Sequence, residues 1–557
     1  MLSRQRAMVV SCPRMRQGEA ALEQLLKPAA GSEPGFLGNA GSVGMAIMIS
    51  RVLGLFRDMV QARYFGAGLY TDALNIAQRV PNLLRDLFAE GALSAAFIPT
   101  FIRRLTRDGK EQAWLLANRV ISALLVIMAL LTLVFFFGAR WFVYLLAAGY
   151  ARIPEKFELT VQMTRIVSPF LLFVALAAVL MGILNACGSF FVPALASSAF
   201  NVWCISAGIF LSPFMPRWGL HPVVSMAVGA LLGGASQFLV MVPSAYRLGF
   251  RYRFDLNFSD PGVRNIARLM LPAVVGLSAT QVNITVDNQL ASMYGNGPVS
   301  WLNYGFRLMQ FPIGVFGIAV ATVTMTAVSR CVARNEMDGL NQTLSSSLRL
   351  AACMIFPATV GLVLFRQEIV RLLFERGSFL PEHTVKTSQV VLLYALGLFS
   401  YSAVKILVPT FYALNDTRTP VRASVITVAA KIILNFAMIK PLGFLGLALA
   451  TTVASWINFC LLFRSLPRRT GAFWNLKGLA VYFRILLASL VMGLLSWLVF
   501  YAGGSICPGP GRLAQAFRLS LAILAGIVTL FPLLRMLKVE EEKNVLQLIG
   551  SMIGKIR

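Results

Sequence analysis

Residues 50–68, SRVLGLFRDMVQARYFGAG, read as an apolar helix that nonetheless holds Arg51, Arg57, Asp58 and Arg63. A guanidinium inside an apolar span is costly unless it meets water, a carboxylate or an anionic ligand. Arginine keeps its charge at any working pH, and its planar fork of donors matches the oxygens of a phosphate. Snorkelling to a helix end accounts for Arg63 and Arg103. It does not account for Arg51 and Arg57, which lie well inside the helix. These two are expected to face a water-filled cavity that takes an anion, a phosphate or diphosphate. Structural ion pairing is the alternative.

A second charged stretch follows, DALNIAQRVPNLLRDLFAEGA at 72–92. Asp72, Arg79, Asp86 and Glu90 recur at helical spacing along one broad face, and Arg85 points about 120° away. The acids are expected to pair with arginines and so lower their burial cost. Other chemistry has little support. There is no GxxxxGK[ST] loop for ATP. No nucleophile–base arrangement or paired carboxylates outweigh simple ion pairing. The seven cysteines, Cys12, Cys187, Cys204, Cys331, Cys353, Cys460 and Cys507, are scattered without a CxxC pair. His221 and His383, the only histidines, fall in predicted loops.

The elements that must carry these charges are membrane spans. The chain has 557 residues, 57% hydrophobic and 13% charged, with a mean hydropathy of +0.72. Soluble domains carry about 25% charged residues. Runs such as LLANRVISALLVIMALLTLVFFFG, at 115–138, are long enough to cross roughly 30 Å of hydrocarbon. The reading is an all-α integral membrane protein with about fourteen spans between residues 40 and 537. The net charge of +27 is then a matter of basic loops beside anionic lipid rather than of nucleic acid. Lys and Arg cluster in RRLTRDGK (103–110), RLGFRYR (247–253), RSLPRRTGAFWNLK (464–477) and the C-terminal tail, which places both termini in the cytoplasm. RQEIVRLLFER (366–376) is an exception on the opposite side, and reads as an amphipathic interfacial helix.

An internal repeat organises the spans. YFGAGLYTDALNIAQR (64–79) resembles MYGNGPVSWLNYGFR (293–307), with Gly66 and Gly68 matching Gly295 and Gly297, and Leu74, Asn75 and Arg79 matching Leu302, Asn303 and Arg307. Pro193 and Ser197 match Pro420 and Ser424, and the offset stays near 228. An even number of spans separates the copies, so they share one orientation about an axis along the membrane normal. The expected division is a disordered extension at 1–38, six-helix bundles at 39–252 and 253–475, two added spans at 476–540, and a tail at 541–557. Arg79 and Arg307, as repeat partners, would face each other as a basic clamp.

SRVLGLFRD, FGAGLYTDA, PNLLRDLFAEGALSAAFIP, RLMQFPIGVFGIAVAT and FYALNDTRTP together resemble the MurJ (MviN) family of lipid II flippases, within the MOP transporter superfamily. The resemblance runs from about residue 39 to the C-terminus. It implies fourteen spans, a V-shaped pair of bundles, alternating access, and lipid II, the undecaprenyl-diphosphate-linked peptidoglycan precursor, as cargo in the bacterial cytoplasmic membrane. By motif it points to Arg51, Arg57, Arg85 and Arg307 as cavity arginines, with Asp72, Asn82 and Glu90 supporting; the repeat adds Arg79 to the binding set, and the charged first helix adds Asp58 as a supporting acid. The family's acidic residue before the arginine at 307 is Phe306 here. A C-terminal cation site, also implied, has Asp287 and Asp416 as loose candidates. The added spans imply a lateral groove for the lipid tail. No organic cofactor is expected, and the driving force is left between a monovalent cation and the membrane potential. Membrane lipids and cell-wall synthesis proteins are the expected neighbours. The rival readings are an exporter of another lipid-linked oligosaccharide, a cation-coupled drug exporter, and a membrane scaffold without transport.

Overall fold

A computed structural model of the chain describes residues 34–79, 81–83, 93–467, 476–509, 511–539 and 541–542. Arg85 and Glu90, residues 1–33 and most of the C-terminal tail lie outside the described residues. Every regular element among the described residues is helical. In the first half these are α1 (Pro34–Phe65), α2 (Leu69–Ala77), α3 (Leu93–Arg107), α4 (Gly109–Phe137), α5 (Ala139–Leu146), α6 (Pro154–Val167), α7 (Phe170–Ala186), α8 (Phe191–Ser206) and α9 (Val224–Arg247). The second half begins with α10 (Pro261–Ser292), α11 (Pro298–Pro312), α12 (Ile318–Ala333), α13 (Met337–Leu364), α14 (Arg366–Phe374), α15 (Pro381–Ala395) and α16 (Leu398–Ala413). It continues with α17 (Arg418–Leu442), α18 (Phe444–Ser465), α19 (Leu476–Ile506) and α20 (Arg512–Met536).

Ten helices among the described residues are long and apolar enough to cross a membrane, and the α15–α16 pair, bent by 44°, makes an eleventh span. Leu130, Phe137, Phe210, Ile433 and Met536 stand exposed on the outside of the bundle. In a multi-pass membrane protein that surface faces hydrocarbon. The helices α1 and α10, each of 32 residues and so about 48 Å long, are also long enough to cross. They carry the charged and polar residues, and they line the boundary between the halves. The helix α1 begins at Pro34, inside the stretch read as an extension. Proline suits a first helical turn, where its missing N–H would be unpaired anyway.

The halves have separate cores at one end and a shared core at the other. Phe97, Phe101, Leu116 and Val179 pack within the first half, whereas the large core of the second half continues into Ala62, Ile76, Tyr150 and Val161 of the first. The repeat is visible at this shared end. Gly66 and Gly295 both adopt left-handed backbone, at φ +69° and +83°, just before α2 and α11. Only glycine takes such a turn without strain.

The helix α10 belongs to both halves. Its start packs on α3, where Asn265 donates to Thr100 at 3.3 Å, and Ile266 joins the first-half core. Its far end joins the second-half core through Leu290 and Ala291.

Candidate functional site

Asp58 and Arg307 meet across the boundary. Arg307 Nε donates to Asp58 Oδ2 at 2.7 Å, and Arg57 Nη2 donates to Asp58 Oδ1 at 2.8 Å. One carboxylate of α1 therefore holds a guanidinium from its own helix and one from α11. Arg57 also lies over the Phe200 ring, 5.8 Å from its centroid. The side-chain exposures are 18% for Arg57 and 45% for Arg307. Arg307 thus keeps donors free for a ligand while one is committed to Asp58.

Arg51 meets the same boundary two turns away. A Cβ added to Gly314 would collide with Arg51 Nη1, so the guanidinium rests on bare backbone in the π-helical segment Ile313–Gly317. Positions 51 and 58 on one helix oppose 314 and 307 on the other. The seven-residue steps run in opposite order, so the two helices cross antiparallel and set their charges about 10 Å apart along the seam. No salt bridge to Arg51 is present among the described residues.

The shared end is closed by a different device. Asp72 lies at the start of α2, fully buried, and accepts from Lys156 Nζ at 2.8 Å. It also accepts from Gly297 N at 2.7 Å and Ser300 N at 2.8 Å, and from Ser300 Oγ at 2.6 Å. Asp72 thus caps the first turn of α11 from the opposite half. Ser300 lies 228 residues after Asp72, which is the repeat offset, so equivalent positions touch at the pseudo-twofold. Lys156 is completed by Gly295 O and Asn296 Oδ1, both at 3.1 Å, and by the Tyr150 ring. The end is reinforced by Ala148 N donating to Gln289 Oε1 at 2.8 Å and Gly149 N to Ser292 Oγ at 3.1 Å.

At the opposite end the linker into α10 is clasped to the first half. Asp260 accepts from Arg104 at 3.1 Å and Arg119 at 2.5 Å, and it caps α10 through Gly262 N and Val263 N. Burial pushes the Asp260 carboxyl up, but Arg119, the two backbone N–H groups and Arg104 outweigh it and hold the group below the ordinary carboxylate range.

Several expectations need correction. The acid at 72 pairs with a lysine rather than an arginine. Arg79 does not join Arg307 in a clamp: it donates to Gln281 on α10 at 3.0 Å, while Arg307 turns to Asp58. The carboxylate that serves Arg307 comes from the other half, and Phe306 packs edge-on against Tyr394 instead. For Asn82 the structure gives a backbone bond to Gln78 O at 3.1 Å and, among the described residues, no side-chain hydrogen bond. His383 sits in the first turn of α15, not in a loop, and its ring accepts the Leu380 N–H at 3.2 Å.

The two acids proposed for a cation do not come together. Asp287 accepts from Lys431 Nζ at 2.6 Å and Asn435 Nδ2 at 2.7 Å. Asp416 instead caps the start of α17 through Arg418 N and Thr419 N. Lys431 is fifteen residues further along the sequence than Asp416, about 22 Å of helix. No group of three or more His, Cys, Asp or Glu side chains suited to a metal ion is found among the described residues. Lys156, Gln281, Ser300, Gly314 and Lys431 escaped the sequence reading. Lys431, inside the apolar run VITVAAKIILNF, carried the same signal as Arg51 and could have been found by it.

Two halves of packed helices around a charged seam make a fold that solved membrane transporters share. A solved multidrug-resistance MATE transporter of the MOP superfamily, in an inward-facing conformation, shares this fold at a TM-score of 0.64 and 15% identity, over 78% of this chain and 98% of its own. A solved structure described as lipid II flippase MurJ, inward closed conformation, aligns at a TM-score of 0.75 and 27% identity, over 89% of this chain and 99% of that one. The family profile described as lipid II flippase MurJ matches residues 61–505. A probable lipid II flippase MurJ of Vibrio cholerae serotype O1 is 37% identical over 467 residues, covering 82% of this chain and 87% of its own. A lipid II flippase MurJ of Burkholderia cenocepacia is 33% identical over 456 residues, covering 81% and 87%. The chain belongs to the lipid II flippase MurJ family, and is a transporter rather than an enzyme.

Proposed function

We propose that this chain flips lipid II from the cytoplasmic to the outer leaflet of the bacterial inner membrane by alternating access. The observation that carries the reading is the Arg57–Asp58–Arg307 bridge, with Arg51 on the same seam. Both termini are cytoplasmic in this reading, which puts the Asp72 end on the periplasmic side and the Asp260 end on the cytoplasmic side. The diphosphate of the cargo offers oxygens that compete with Asp58 for Arg307 and Arg57. Exchange of one anion for the other weakens a contact that ties the halves together. The polyprenyl tail is too apolar to enter this polar seam and stays in the lipid, along the groove beside α19 and α20.

Movement of an anionic head group outward runs down a membrane potential that is negative inside. The gain is about 2.3 kcal/mol per net charge per 100 mV. Asp287, already matched by the Lys431 ammonium, supports voltage rather than a cation gradient as the drive. The test is lipid II translocation in vesicles that contain the purified chain, with an imposed potassium diffusion potential and no sodium gradient. Outward flipping should accelerate when the inside is negative. An outward rate indifferent to the sign of the potential removes voltage coupling. No translocation at either sign, while a lipid-linked oligosaccharide of another kind crosses, removes lipid II as cargo.

A further inference from the structure

The segment RQEIVRLLFER, basic on the side where the other loops are poor in Lys and Arg, plays no part in the seam. It forms α14 and leads into a loop at 375–378 that is held by three hydrogen bonds from two helices. Ser378 N donates to Arg63 O at 2.9 Å and Ser378 Oγ to Tyr64 O at 3.0 Å, which ties the loop to the end of α1. Arg512 Nη2 donates to Glu375 O at 3.0 Å, which ties it to the start of α20. Gly377 makes the approach possible: its φ is +56°, and a Cβ there would collide with Arg63 O.

This packing gathers Arg63, Arg376 and Arg512. None of the three has an ion pair among the described residues. The nearby Glu375 carboxylate is taken by Thr384 Oγ1 at 2.6 Å and Arg371 Nε at 3.4 Å. Arg376 spends one donor on Leu372 O at 2.9 Å, and its Nε is buried without an acceptor. Burial, then Arg512 and Arg63, hold the Arg376 guanidinium below its ordinary value. A protein seldom sets like charges together around a buried donor with nothing to answer them.

The depth of the cluster says what answers them. It lies where α1 ends and α20 begins, at a span boundary. Exposed Tyr64 flanks it, and exposed Trp497 and Tyr501 stand near the end of α19. Aromatic side chains of this kind sit at the lipid headgroup level. We propose that Arg63, Arg376 and Arg512 bind the phosphate of an anionic phospholipid headgroup, which bridges α1 of the first half to α20 at the closed end. The site rests on the packing of the 375–378 loop and not on the identity of the cargo.

Native mass spectrometry of the full chain, released from bilayers with equal phosphatidylglycerol and phosphatidylcholine, tests it. Phosphatidylglycerol should be retained roughly tenfold over phosphatidylcholine, as expected for a charge-assisted contact. Arg376→Gln and Arg63→Gln should each abolish that preference. Arg140→Gln, which removes an exposed arginine bridged to Glu158 at the same end, should leave it intact. Equal retention of the two lipids by the unaltered chain overturns the proposal without any variant. So does equal loss in Arg140→Gln, which would reduce the effect to general surface charge. Millimolar inorganic phosphate should not displace the lipid. Full displacement would make the free anion the ligand and overturn the lipid assignment.

Discussion

Asp72 and Asp58 are both aspartates of the first half that bind the second, yet their surroundings differ in kind. Asp72 is fully buried, and four donors surround its carboxylate: one ammonium, two backbone N–H groups and one hydroxyl. Asp58 is shared between two guanidiniums, one of them 45% exposed. A dry, fully bonded carboxylate has nothing to gain from a visiting anion. A carboxylate beside an open arginine can be replaced by one. The difference separates a closed contact from an open one: Asp72 has its donors in place, and in the proposed cycle Asp58 is the carboxylate that a cargo anion would displace.

The largest expected effect comes from breaking the dry contact. Asp72→Ala leaves the Lys156 ammonium buried without its counter-charge, at a cost of about 3–5 kcal/mol. Thermal unfolding in detergent should show a marked fall in midpoint, and Asp72→Ala with Lys156→Met should recover part of it. A midpoint unchanged in the single variant would place the halves' attachment elsewhere.

Next come the exchangeable arginines. Arg57→Ala, Arg307→Ala and Arg51→Ala should abolish complementation of a strain depleted of its own flippase, at normal membrane levels of protein. Lysine should rescue only in part, because it keeps the charge and loses the fork. Normal growth with all three alanine variants would mean the seam does not bind the cargo.

A smaller effect sharpens the same contrast. Gly314→Ala adds one methyl group where Arg51 now rests. The end of a long side chain can move, so the thermal midpoint should stay close to that of the unaltered chain. Transport should fall nonetheless, by roughly the tenfold that one misplaced charge-assisted contact costs. Equal loss of stability and transport would show the position to be structural.

The smallest effect concerns the clasp at the other end. Asp260 has a lowered carboxyl pKa, so the stability it contributes is complete above the ordinary carboxylate range. It is lost as pH falls through the lowered value. Between neutral pH and about 5 the clasp should not respond, and loosening should appear only under stronger acid. Asp260→Asn should remove that acid-dependent component, as read by proteolysis of the 251–260 linker against pH.

Much of this was legible in the sequence because the bilayer imposes simple rules. Long apolar runs gave the multi-pass class, and the motifs around Arg57 and Arg307 gave the family. The unusual composition of α1 was itself the clue that it lines the seam. What stayed hidden depends on contacts between distant residues. Nothing near Asp72 in sequence announces Lys156, 84 residues on. The register that places Arg51 over Gly314 exists only once two helices have crossed. Arg79 and Arg307 are equivalent positions in the repeat, but each side chain follows its local neighbours, and those differ between the halves.

The cap that α11 borrows from Asp72 has a consequence for how the molecule could be watched. A helix normally completes its first turn with a nearby residue of its own chain segment. Here that completion depends on the other half staying in place. Separation at this end would leave the amides of Gly297 and Ser300 open to water, so deuterium uptake at those two amides would report the fraction of time the end is open, with no label attached to the protein.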